Sequence, residues 1–151
     1  MPDFTKIAII DLSNPHDSVV SKFADAYSTA GFAYIKNHSV SQLLIDETFK
    51  ASKNFHRLNE AEKWTILLDK NHRGYIPINT STDVNSKLAD VKKPNQSSSF
   101  MMMRESDEKP HEYLSGPNQW PDIVGFRNTL TAYTEQMSTL GKRLISIAAE
   151  A

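Results

Sequence analysis

The chain has 151 residues, enough for a core that buries roughly 70% of the unfolded surface, yet its apolar fraction of 39% is low for a self-contained globular domain. A net charge of −1, from 17 basic and 18 acidic residues, leaves no broad electrostatic footprint for nucleic acid or an anionic membrane. Cysteine is absent, which excludes disulfides, thiolate metal sites and a cysteine nucleophile; no apolar run approaches a membrane span, and Asp3, Lys6 and Asp11 interrupt any leader-like start, so a cytoplasmic protein is expected.

Ile7-Ala-Ile-Ile-Asp11 is a short apolar run closed by the turn formers Ser13, Asn14 and Pro15, and predicts a strand. From His16 to Ala30, Val19, Val20, Phe23, Ala24, Tyr27 and Ala30 recur at spacings of three and four, so a helix presents them on one face. Gly31 closes that helix, and Gly31 to Val40 predicts a buried central strand rich in β-favouring Phe32, Tyr34 and Ile35. Ser41 is placed to cap a second helix with Leu44, Ile45, Phe49 and Phe55 as its apolar face. Asn59 with Glu62 three positions on has capping-box spacing and predicts a third, short helix.

Between Asp69 and Asn118 the periodicity fails. Turn signals stand at Asn71, Gly74, Pro77, Asn79, Pro94 and Asn95, and only Ser97 to Met103 has the makings of a strand. An irregular stretch of that length either runs across the open face of something else or is disordered. Phe126, Leu130, Tyr133, Met137, Leu140, Leu144 and Ile147 then alternate at spacings of four and three along one long helix, which Asp122 is placed to cap. No stop signal follows it, an ending expected of a cut through a longer product. Strand, helix, strand and then helices is an α/β or α+β beginning.

Four segments occur in a familiar order: Ile7-Ala-Ile-Ile-Asp-Leu12, Gly31-Phe-Ala-Tyr-Ile-Lys-Asn-His38, Arg73-Gly-Tyr75 and Gly116-Pro-Asn-Gln-Trp-Pro121. Together they resemble the N-terminal region of the iron(II)- and 2-oxoglutarate-dependent dioxygenases of the isopenicillin N synthase type. The resemblance spans nearly the whole chain, about Ile7 to Ala148. It implies one domain over residues 1–151: short strands with flanking helices and a long C-terminal helix, the N-terminal part of a double-stranded β-helix oxygenase lacking the barrel. Fe(II) and 2-oxoglutarate are implied as cofactors of the complete enzyme, with none held by this chain, and the missing C-terminal barrel as its partner.

Iron in that family is held by two histidines and one carboxylate, supplied as His-x-Asp plus a distant His, with Arg-x-Ser holding the oxo-acid. The histidines at 16, 38, 56, 72 and 111 are followed two positions on by Ser18, Val40, Leu58, Gly74 and Tyr113, so no such pair exists. Arg104-Glu-Ser106 matches Arg-x-Ser in form but has no metal histidine before it. No catalytic, cofactor-binding or metal residue is therefore assigned. The resemblance makes Arg73, Tyr75, Phe100 and Met102 candidates for the substrate entrance. Arg73 could there grip a substrate carboxylate or simply brace a turn, and Phe100 to Met103 could wall a pocket or dock against the barrel. His38 is expected to be a hydrogen-bonded turn residue and Trp120 a packing anchor; His111-Glu112 lacks the second histidine of a zinc site. Two functions compete: a scaffolding and entrance-shaping part of an oxygenase acting on a small molecule, or a stand-alone truncated module that binds a partner chain or forms homo-oligomers. A phosphate-binding domain is set aside for want of a glycine-rich loop.

Overall fold

The computed structural model describes residues 7–80, 94–105 and 114–151. Its elements are β1 (Ala8–Asp11), α1 (His16–Thr29), β2 (Ala33–Lys36), α2 (Gln42–His56), α3 (Glu60–Trp64), β3 (Gly74–Ile76), β4 (Ser99–Met101) and α4 (Phe126–Glu150). This is the expected mixture of short strands, flanking helices and a long last helix, and the described residues close no barrel. None of their helices is long and apolar enough to cross a membrane. Two compact units divide the chain: Met1–Lys50 with Asn128–Ala151, and Ala51–Arg127.

In the first unit β1 and β2 pair in parallel, Ile9 opposite Tyr34 and Ile10 opposite Ile35. Parallel strands need a crossover, and α1 supplies it. Strand alternation turns Ile10, with Leu12 beyond it, Ala33 and Ile35 toward Val19, Phe23 and Ala26 of α1 and Ile147 of α4. Gly31, at φ +81°, ends α1 in a left-handed conformation that suits glycine, and its N–H donates to the Ala26 carbonyl at 3.1 Å. The loop after β1 is tied by Asp11, whose carboxylate accepts from the Ser13 hydroxyl at 2.7 Å and from the Asn37 amide at 2.8 Å. Arg143 of α4 donates to the Leu12 carbonyl at 2.7 Å.

Three expectations about this unit change. The Gly31–Val40 strand shrinks to Ala33–Lys36 and is half-buried on one face only: Phe32 is 55% and Tyr34 61% exposed. Nor is it central, for among the described residues its only strand neighbour is β1. The α2 face loses Phe49, which is 73% exposed; Leu44 and Ile45 are half-buried. The α4 stripe is real in spacing, but only Phe126 and Ile147 are buried, and the helix starts at Phe126, after a turn in which Gly125 has φ +78°. That turn leaves Asp122 short of the capping position.

The second unit is centred on aromatic rings. Phe55, buried at the end of α2, meets Tyr75, Phe100 and Phe126 at centroid distances of 5.9, 5.2 and 5.8 Å. Trp120 adds contacts to Phe100 at 5.9 Å and Phe126 at 6.3 Å, the packing role expected of it. The α3 start has the expected capping box: Asn59 Oδ1 accepts from the Glu62 N–H at 2.9 Å, and Glu62 Oε2 accepts from the Asn59 N–H at 3.2 Å. Strands β3 and β4 pair antiparallel, Tyr75 opposite Phe100; the expected Ser97–Met103 strand is thus limited to Ser99–Met101. The expectation for the irregular stretch, and those for Ser106 and His111-Glu112, fall wholly or partly on residues outside the described set.

Candidate functional site

All four entrance candidates lie in the second unit, and β3–β4 positions them. Gly74 opens β3 at φ +119°, and a Cβ there would collide with the Ile66 carbonyl and the Gln119 amide. The close approach is needed because Tyr75 donates its N–H to the Ile66 carbonyl at 2.7 Å while its own carbonyl accepts from Leu68 at 2.9 Å. Glycine is thus required for contact as well as for conformation.

Arg73 is 1% exposed. Its Nη1 donates to the carbonyls of Asn71 at 3.0 Å and Leu114 at 2.9 Å, its Nε has no hydrogen-bond partner, and no carboxylate of the described residues pairs with it. Its backbone is held too: the N–H donates to Asp69 Oδ1 at 3.1 Å and the carbonyl accepts from Gln119 at 2.6 Å. Tyr75 is 2% exposed; its ring packs edge-on to Phe55 and its hydroxyl donates to Glu60 Oε2 at 3.4 Å. Phe100 is half-buried opposite Tyr75, and Met102 half-buried just beyond β4. The structure therefore brings Tyr75 and Phe100 together around Phe55 and turns the Arg73 guanidinium to loop carbonyls.

A charged group flanks this cluster. Lys63, nearly buried, pairs with Glu60 at 2.5 Å and stands 5.2 Å from the centroid of the Tyr75 ring. The Glu60 partner holds the Lys63 ammonium above its ordinary range, and the Lys63 hydrogen bond holds the Glu60 carboxyl below its own. His56, with Nδ1 3.2 Å from the Ser98 hydroxyl, is pushed down by burial and then by the Lys63 charge.

Two residues with no assigned role in the sequence reading prove to be structural pins. Asn118 pairs like a strand residue with Met103, accepting its N–H at 2.8 Å and donating to its carbonyl at 2.7 Å. Gln119 donates to Leu67 at 2.8 Å as well as to Arg73. Their only signal was the side-chain amide itself, which can mimic a peptide group but does not say which backbone it will meet. Glu105 accepts the Asn118 N–H at 2.6 Å, which with the Arg127 cation 3.0 Å away keeps its carboxyl below the usual range despite burial.

In the first unit, a cavity of about 340 Å³ is lined by His38, Val40, Glu135, Gln136, Leu140 and Arg143, and it gathers none of the entrance candidates. His38 Nδ1 accepts the Val40 N–H at 3.1 Å, a turn role. Among the described residues no three histidine, aspartate or glutamate side chains gather as a metal site. With no His-x-Asp anywhere in the sequence, the donors do not fit a two-histidine, one-carboxylate iron centre.

Residues 7–123 match the family described as "non-haem dioxygenase in morphine synthesis N-terminal". Among curated proteins, azadirone synthase LFS of Melia azedarach is 32% identical over 151 residues, covering 94% of this chain and 44% of that protein. The 2-oxoglutarate-dependent dioxygenase caaD of Aspergillus niger is 30% identical over 136 residues, covering 87% and 41%. Among solved structures, a 2OG-Fe(II) oxygenase family protein from Caulobacter crescentus superposes with a TM-score of 0.76 at 19% identity, covering 95% of this chain and 47% of that one. A full-length Neurospora crassa protein in complex with alpha-KG gives 0.75 at 23%, covering 99% and 48%. The likeness to solved structures is one of fold, and the chain spans under half the length of these relatives.

Proposed function

The chain belongs to the N-terminal family of the non-haem dioxygenases, and from that premise we propose that it is the scaffolding half of an Fe(II)- and 2-oxoglutarate-dependent oxygenase acting on a small molecule. One observation carries this reading. A relative named as a 2-oxoglutarate-dependent dioxygenase, that of Aspergillus niger, matches over 87% of this chain, which covers only 41% of that protein. The chemistry then belongs to the remaining half, since the donors here do not compose an iron site.

Within that enzyme we assign the β3–β4 region to the substrate entrance. Phe100 and Met102, half-exposed, form an apolar wall. Arg73 and Tyr75 fix it from behind, through loop carbonyls and the Phe55 ring. A wall held this way presents a shape that does not have to be ordered when substrate arrives.

The test is turnover. The 151-residue chain supplied with Fe(II) and 2-oxoglutarate should release no succinate above a metal-free blank. The same chain joined to the C-terminal half of the Aspergillus niger 2-oxoglutarate-dependent dioxygenase should release it. Succinate from the chain alone sinks the proposal, as does a soluble, folded joined protein with no turnover.

A further inference from the structure

The cavity of about 340 Å³ in the first unit lies between the turn that follows β2 and one face of α4. Its two walls are pinned to each other at both ends. At one end the Ser41 N–H donates to Gln136 Oε1 at 2.9 Å. At the other, Arg143 Nη2 donates at 2.7 Å to the carbonyl of Leu12, whose own N–H donates to the Lys36 carbonyl at 3.1 Å. The cavity is therefore formed in advance, and binding in it does not have to order its walls. Val40, buried, and Leu140, half-buried, give it an apolar middle. Glu135 and Arg143 also line it, eight residues and so about 12 Å apart along α4. Neither has an ion-pair partner among the described residues. His38 Nδ1 accepts the Val40 N–H, which leaves Nε2 as the ring's donor, and Gln136, its oxygen taken by Ser41, keeps its amide N–H groups.

We propose that this cavity binds a linear organic zwitterion, with a carboxylate at one end of an apolar chain and an ammonium at the other. The carboxylate is received at the Arg143 end. The Leu12 carbonyl takes one of the guanidinium's N–H donors, and His38, two residues past Lys36 and so toward this pin, adds its Nε2–H. The apolar chain crosses Val40 and Leu140, and the ammonium is received by the Glu135 carboxylate. A simple acid leaves Glu135 unanswered and a simple amine leaves Arg143 so; opposite charges at the two ends select a ligand that carries both. An ammonium directly beside its carboxylate, as in an α-amino acid, cannot span two turns of helix.

The probe is ε-aminocaproate, titrated into the isotope-labelled chain at low protein concentration while the backbone amide resonances of Val40 and Leu140 are followed by NMR. Caproate and hexylamine, each with one of its two charges, are the controls. The zwitterion should move both resonances saturably and bind about fivefold more tightly than either control, the scale of one exposed ion pair. The Glu135 carboxylate has no ion-pair partner among the described residues, so Glu135→Gln should leave the fold intact. It should lower the affinity for ε-aminocaproate to that for caproate and leave caproate binding unchanged. Arg143→Gln should lower it to that for hexylamine with hexylamine binding unchanged, a pattern that mere loss of the Leu12 anchor does not produce. No saturable shift, equal binding of all three probes, or a Glu135→Gln chain that keeps the full advantage over caproate each overturns the site.

Discussion

Arg73 shows how a residue's chemistry depends on what its neighbours leave for it. The family resemblance made it a candidate for a substrate carboxylate, whereas its guanidinium spends two hydrogen bonds on the carbonyls of Asn71 and Leu114, residues 41 positions apart from Arg73 in the second case. Both bonds leave the one nitrogen Nη1, and a lysine ammonium ends one atom short of that position. Arg73→Lys should therefore destabilise the second unit by about 1–3 kcal/mol, seen as an earlier urea midpoint in the fluorescence of Trp64 and Trp120. An unchanged midpoint would show that the two carbonyls do not depend on it. A second residue-scale prediction concerns His16, whose Nε2 lies 2.8 Å from Glu150 Oε2. The Glu150 hydrogen bond and charge raise its pKa. The pair thus contributes fully below the ordinary histidine value of about 6.5 and is lost as pH rises through the higher folded value. Glu150→Gln should return the His16 titration toward the ordinary value in an NMR pH series; a titration that stays put would remove the ion pair from the account.

At the scale of elements, local chemistry and long-range pairing separate cleanly. The α3 cap was legible because both partners of a capping box lie three residues apart, and Asn59→Ala should cost about 1 kcal/mol in thermal unfolding of the second unit. Strand β3 was not legible. Three residues carry no period, and its partners Ile66, Leu68 and the strand Ser99–Met101 are set by tertiary pairing. Gly74 is the residue on which that pairing turns. Gly74→Ala would combine a glycine-only backbone region with collision against the Ile66 carbonyl, and a loss of about 3 kcal/mol is expected. Should the variant melt within a degree or two of the wild type, the close approach at β3 is wrong.

The whole molecule carries more uncovered apolar side chains than its fold needs. Ile9, Phe32, Tyr34, Leu43, Phe49 and Ile145 are all more than half exposed in the first unit, and the α4 stripe is buried only at Phe126 and Ile147. Contiguous apolar patches beyond a few hundred Å² usually find a partner. The isolated chain is accordingly expected to self-associate as concentration rises. A clean monomer by light scattering at high concentration would count against this.

Sequence alone determined what is local or periodic: the α1 face at Val19 and Phe23, though not the buried Ala26 nor the 48% exposure of Tyr27, the glycine that ends the helix, the Asn59 cap and the long final helix. The absence of His-x-Asp is likewise read from the sequence and needs no coordinates. Tertiary structure decided which apolar residues are actually used. Phe32, Tyr34 and Phe49 have the character of core residues, and nothing in their spacing distinguishes a face that meets α1 from one that meets nothing. It likewise decided that Arg73 and Tyr75 face inward, because burial depends on residues such as Phe55, Leu114 and Gln119 that lie far along the chain. Periodicity specifies that a face will be apolar; only the assembled neighbours specify whether it is covered.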